Sequence, residues 1–153
     1  MLAFLLLRGD PLLRLLLVDR WAPAPPDSEY AISGDPAANA DAVQHEAWLH
    51  ETRERLTFAW KRIRIWHGES TLAADAERAS TGDGEPIAKF DFVFLDADHS
   101  YAGRTMDLCD WYPLVKKGGL IAGGLLQSSF GGDCGRRALH DFLERSALCP
   151  KLM

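Results

Sequence analysis

Asp96, Asp98 and His99 form the densest group of titratable side chains, in the turn Asp96-Ala97-Asp98-His99-Ser100-Tyr101. Two carboxylates and an imidazole so close together suit two kinds of chemistry. They can hold a divalent cation through oxygen, or His99 can abstract a proton. The plainer reading is that Asp98 or Ser100 caps a following helix and the rest is solvated. Position in the chain weighs towards function. The apolar run Phe90–Leu95, broken only by Asp91, has the length of a buried strand and stops at Asp96. A helix-like segment follows, and Gly118-Gly119 lead into a second apolar run, Leu120–Ala122. Strand, helix and strand within about 35 residues make a right-handed βαβ unit, which needs a parallel sheet. Ligands of such sheets collect outside the carboxyl ends of the strands, where Asp96 stands.

Other candidates are sparser. Asp19 closes the apolar run Leu15–Val18 and is followed by Trp21. A carboxylate there can accept two hydrogen bonds from a ribose diol, or simply cap the turn before Pro23. Glu69-Ser70 follow a strand read from Ile63, Ile65 and Trp66, and can touch a purine or ribose, or cap the next helix. His45 and His50 with Glu46 resemble a zinc motif only superficially, because a spacing of five leaves them about 140° out of line on a helix. Gly131, Gly132 and Gly135 before Arg136-Arg137 are a weak phosphate cradle, since no Gly-Lys-Ser/Thr accompanies them.

The elements that must position these residues are read as follows. A helical turn ends at Gly9, with Asp10-Pro11 as the stop. Ala22 to Asp35, carrying Pro23, Pro25, Pro26 and Gly34, is loop, and Asp35 caps a helix whose first residue is Pro36. Nothing breaks the helix from Ala37 to Trp60, with Leu49, Thr52, Leu56 and Ala59 on one face. Thr71–Ala79 is a short helix and Ser80–Pro86 a loop. Leu108, Trp111, Tyr112 and Val115 form the sheet-facing stripe of the next helix, kinked by Pro113. Gln127–Gly135 is loop and Arg136–Leu148 a closing helix. Strands alternate with helices throughout, so the class is α/β, doubly wound, as a single domain over residues 1–153.

Bulk properties exclude several functions. In 153 residues, 47% hydrophobic and 25% charged, the composition is that of a soluble globular domain. A net charge of −5 leaves no cationic excess for nucleic acid. Lys61, Arg62 and Arg64 are read as decoration of a helix end and strand start. Cys109, Cys134 and Cys149 form neither a C-x-x-C pair nor a zinc spacing, which suits unpaired thiols in a reducing, cytoplasmic setting. The leucine-rich start is interrupted by Arg8, Asp10, Pro11 and Arg14 and falls short of the roughly 18 residues of a membrane span. No membrane partner is expected, and Arg8-Gly9-Asp10 matches an adhesion tripeptide by chance.

The run FDFVFLDADHSYAGRTMDLCDWYPLVKKGGLIAGG resembles the class I S-adenosylmethionine-dependent methyltransferases. It is similar to the group whose fourth strand ends D-x-D-H-S-Y and whose fifth follows L-K-P-G-G-L-I-A-G. Leu17-Val18-Asp19-Arg20-Trp21 matches that group's second-strand end, and His67-Gly68-Glu69-Ser70 its third. The start of the helix after strand five is met by Gly135-Arg136-Arg137-Ala138-Leu139. The resemblance implies S-adenosylmethionine across the carboxyl edge of the sheet. Asp19 and Trp21 would lie at the ribose, Glu69 and Ser70 near the adenine, and Asp96 near the methionine moiety, or near a metal in the metal-dependent O-methyltransferases. His99 would be the base and Asp96 its catalytic neighbour, with a small-molecule oxygen or nitrogen as methyl acceptor.

Departures from the pattern shape the expectation. The family's first strand and glycine-rich loop are expected before Met1, and its last two strands after Leu148. The fold expected is therefore a Rossmann-like three-layer αβα sandwich with a mostly parallel sheet, truncated at both ends. The missing first strand would lie between the strands at Leu15 and Phe90. Where relatives place His-Asp or Asp-Asn after strand five, Gly123-Gly124 or Gly124-Leu125 stand here. Asp96 alone builds no metal site, so none is expected. The leading expectation is methyl transfer, impaired by the missing loop. Its rival is a non-catalytic, degenerate Rossmann-like domain serving as an interaction or structural module. A nicotinamide-dependent oxidoreductase needs a G-x-G-x-x-G that the chain lacks.

Overall fold

The structure is a computed structural model that describes residues 2–80, 89–123 and 134–144. It opens with helix α1 (Leu2–Gly9). Arg62 donates to the carbonyls of Leu7, Asp10 and Leu13 at 3.1, 3.0 and 3.2 Å, supplying a donor to the last turn of α1 and tying down the segment that follows it. Leu7 is buried with Leu56 and Ala59, and Leu13, Leu15, Leu17 and Ile63 pack on them.

Strand β1 (Leu15–Asp19) pairs in parallel with β2 (Ile63–His67), Asp19 standing opposite His67. Alternation along β1 sends Leu15 and Leu17 to the α1 side and Leu16 and Val18 to the other. On that second side lies the larger core: Ala73, Ala74, Val93, Leu95, Leu108, Trp111, Leu114 and Phe142. The β1–β2 pair is thus covered on both faces, as a doubly wound sheet requires.

The connection from β1 to β2 departs from the sequence reading in two places. Its proline-rich part holds a helical turn, α2 (Glu29–Ile32), started by Ser28, whose Oγ accepts the Ala31 N–H at 3.1 Å. The helix expected from Ala37 to Trp60 is broken. Helix α3 (Pro36–Asn39) ends at Ala40, which is extended with ψ 147°. Asp41 then caps α4 (Ala42–Arg55) by accepting the Gln44 N–H at 2.8 Å, and a 3-10 segment runs over Thr57–Arg62. Competition from the Asp41 side chain for the backbone restarts the helix. Leu49, Leu56 and Ala59 of the expected face are nevertheless each buried, and Thr52 is half-buried.

Helix α5 (Ser70–Ala79) leads to β3 (Phe90–Leu95), α6 (Tyr101–Trp111), β4 (Val115–Gly123) and α7 (Cys134–Glu144). Strands β3 and β4 are parallel, with Phe90 opposite Val115 and Phe92 opposite Leu120. The four residues Lys116 to Gly119 bulge between those pairs, turned by Gly118 at φ 82°. Strand β4 therefore begins well before the Leu120 start expected. The α6 stripe also ends early. Leu108 and Trp111 are buried, but Tyr112 is 49% exposed and Val115 belongs to the strand, because Pro113 tightens Tyr112–Leu114 into a 3-10 turn.

Among the described residues β1 pairs only with β2 and β3 only with β4. Side chains from both pairs meet in the larger core, which joins them into one α/β body. Most of the loops read at Ser80–Pro86 and Gln127–Gly135, and the end of the closing helix, lie outside the described residues. Cys134 is free but Cys109 is disulfide-bonded, contrary to the expectation of unpaired thiols. Sequence spacing does not reveal which cysteines the fold brings together, and the argument for a reducing compartment falls with it. No helix among the described residues is long and apolar enough to cross a membrane.

Candidate functional site

The carboxyl ends of β1 and β2 are tied together. Gly68 N–H donates to the Asp19 carbonyl at 2.9 Å. Asp19 is exposed, and its Oδ1 accepts the Trp21 N–H at 2.7 Å. That bond holds Trp21 at φ 41°, a left-handed conformation unusual for a bulky residue. The Trp21 indole stands edge-on to His67, with ring centres 5.7 Å apart. Glu69 reaches back to Arg20 at 3.0 Å and makes no side-chain cap on α5.

Ser70 points the other way. Its hydroxyl donates to Asp107 Oδ1 at 2.6 Å and accepts the Trp111 indole N–H at 2.8 Å. Burial pushes Asp107 up to about 6, opposed by the Ser70 hydrogen bond and assisted by the charges of Asp98 and Asp110. Of the candidates near the β2 end, Glu69 faces the rim, whereas the Ser70 side chain faces the core.

At the end of β3 the acidic turn divides its labour. Asp98 Oδ1 accepts the Ser100 N–H at 2.8 Å, and Ser100 Oγ accepts the Gly103 N–H at 3.0 Å. These two residues cap α6, as the plainer reading had it. A Cβ on Gly103 would run into the Asp98 side chain, so glycine is what lets the turn close on the helix. Asp96 is left with its side chain 63% exposed.

His99 is held differently. Its Nδ1 lies 2.9 Å from Asp35 Oδ2, while its Nε2 lies 3.7 Å from Asp96 Oδ1. Nε2 is buried and has no hydrogen-bond partner. The Tyr30 ring stands edge-on to the imidazole at 5.8 Å. Burial raises the Tyr30 pKa, followed by the negative charges of Asp35, Asp98, Asp19 and Asp96. The ends of β1 and β3, strands not paired with each other among the described residues, thus contribute carboxylates to one acidic neighbourhood around Tyr30, with His99 beside it.

Two of its members escaped the sequence reading. Asp35 was legible only as a helix cap, and it does cap α3 through Oδ1, to Ala37 N–H at 2.8 Å. Its second oxygen meets His99 across 64 positions of sequence, which no local spacing reveals. Tyr30 carried no signal beyond being an aromatic residue in a proline-rich stretch. Among the described residues no three His, Cys, Asp or Glu side chains gather closely enough to hold a metal ion.

An α/β body with parallel strands and acidic residues at their carboxyl ends is a Rossmann-like domain. A family model described as a methyltransferase domain matches residues 1–124, and the chain belongs to that family. No curated protein and no solved structure matches the chain.

Proposed function

We propose that the rim formed by Asp19, Trp21, Glu69, Ser70 and Asp96 binds S-adenosylmethionine and that a small-molecule oxygen or nitrogen receives the methyl group. The observation that carries this reading is the convergence of Asp19, Asp96 and His99 on one neighbourhood around Tyr30. The donor chemistry fits. The exposed Asp19 carboxylate accepts from a ribose diol, and the exposed Asp96 carboxylate suits an ammonium or sulfonium charge. Trp21 offers an aromatic face beside the ribose. Glu69 lies at the purine end, where Ser70 contributes through its backbone N–H in the first turn of α5, its hydroxyl being engaged elsewhere.

When bound, the cofactor supplies an electrophilic methyl whose C–S bonding electrons leave with sulfur as a neutral thioether. The protein's part is alignment and removal of the acceptor's proton, which is assigned to His99 Nε2. Asp96, on the other side of that nitrogen, meets the positive charge that proton uptake creates. No metal is required by this scheme.

A thermal melt with S-adenosylhomocysteine tests the reading. Ligand at one hundred times its dissociation constant stabilises the folded chain by about 2.7 kcal/mol, a rise of several degrees in Tm. No shift at millimolar ligand favours the second reading, a non-catalytic module. The observation behind that alternative is that β1 and β3 share no partner strand among the described residues.

A further inference from the structure

We infer that Asp35 is the positioning residue of His99, fixing the proton on Nδ1 so that Nε2 is kept as the proton acceptor. The inference deepens the proposed methyl transfer and rests on it for the role of Nε2. Asp35 is 5% exposed and both its oxygens are committed. Oδ1 accepts from the Ala37 N–H at the start of α3, and Oδ2 lies 2.9 Å from His99 Nδ1. As a carboxylate it can only accept, so the hydrogen between the two groups belongs to Nδ1. At 3.7 Å, Asp96 is too far from Nε2 to compete for a proton there.

The consequence is an imidazole whose Nε2 lone pair has no hydrogen-bond partner and lies 3.7 Å from the Asp96 carboxylate. Tyr30, edge-on to the ring, blocks one way of tilting it. Charged groups facing the ring are Asp35 on Nδ1 and Asp96 on Nε2, with the Tyr30 hydroxyl held neutral among carboxylates. Nε2 is covered in this arrangement, but Asp96 is largely exposed and its side chain turns without disturbing the core. When a substrate O–H or N–H gives its proton to Nε2, the electron pair of that bond stays on the attacking atom. Asp35 remains ionised opposite the new imidazolium.

Asp35→Asn separates positioning from mere packing. Asparagine still caps α3 through its oxygen, which places the NH2 group where Oδ2 was. Nδ1 must then accept, and the ring proton moves to Nε2. The experiment reads the ring-nitrogen NMR shifts of His99 in the whole chain at about pH 8.5, above the ordinary histidine range, with His99→Gln for assignment. Wild type is expected to show a protonated Nδ1 and a bare Nε2, and Asp35→Asn the reverse. A protonated Nε2 in wild type overturns the inference without any variant, as does an unchanged pattern in Asp35→Asn. Where methyl transfer is measurable, Asp35→Asn should lower kcat by roughly 100-fold or more, with KM changed far less. Loss in KM alone overturns the positioning role. The expected tautomers without any cofactor binding support the pairing while removing the methyl-transfer reading.

Discussion

Asp107 is the residue whose environment most directly sets a pH dependence. Its carboxyl, ordinarily at 3.8, is pushed up to about 6 by its burial on the inner face of α6. Raised carboxyl pKa means that folding favours the neutral form, so the contribution is fully present below about pH 4. It is lost as pH rises through 6, and a shift of this size corresponds to about 3 kcal/mol. Asp107→Asn keeps an acceptor for the Ser70 hydroxyl and removes the ionisation. Urea unfolding at about pH 4.5 and about pH 7.5 should show the variant gaining about 2 kcal/mol on wild type between the two. Parallel pH profiles for the two proteins would remove Asp107 as the cause. Legibility at this scale was uneven. Asp19, Asp96 and His99 could be picked out because each stands at or just past the end of an apolar run. Asp35 could not be paired with His99, since that contact depends on how a proline-rich connection folds onto the turn that follows β3. Ser70 misled for a related reason. Sequence gives a side chain's place on a helix, but here the hydroxyl is taken by Asp107 and Trp111, two residues of another helix.

At the scale of elements, the strands were the most legible parts. Each is an apolar-rich run stopped by an acid, histidine or glycine: Asp19, His67 and Gly123 close β1, β2 and β4, and Asp96 follows β3. The helical connection from β1 to β2 was not, because capping overrode periodicity. Asp41-x-x-Gln44 is a helix-start signal inside an otherwise unbroken pattern, and Ser28 starts a turn among prolines. The early start of β4 was hidden by Lys116-Lys117-Gly118-Gly119, which read as a turn and is a bulge within the strand. The basic cluster had a structural explanation in Arg62, which holds three carbonyls near the end of α1. Charge-assisted hydrogen bonds of this kind contribute about 1.5–3 kcal/mol each when fully formed, less where solvent reaches them. Arg62→Met should therefore lower stability by about 2 kcal/mol and expose the leucine face of α1. A urea midpoint within error of wild type would show that α1 docks through Leu7 alone.

For the molecule as a whole, one larger core joins two strand pairs whose inner strands have no shared partner among the described residues. Phe92, Phe94 and Leu120 are each more than 40% exposed on the β3–β4 pair. Unpaired strand edges beside exposed aromatic side chains favour association. The isolated chain should show an apparent mass that rises with concentration in size-exclusion chromatography with light scattering. A monomer melting in one sharp two-state transition would contradict this. The doubly wound class was readable from the alternation of runs alone, and the family match over residues 1–124 agrees with it. What the rim binds is the claim on which the functional account turns. Isothermal titration with S-adenosylhomocysteine decides it most directly. The account predicts one saturable site, weakened about 10- to 100-fold by Asp19→Ala through loss of the charged acceptor. No heat of binding, or binding indifferent to Asp19, would contradict it.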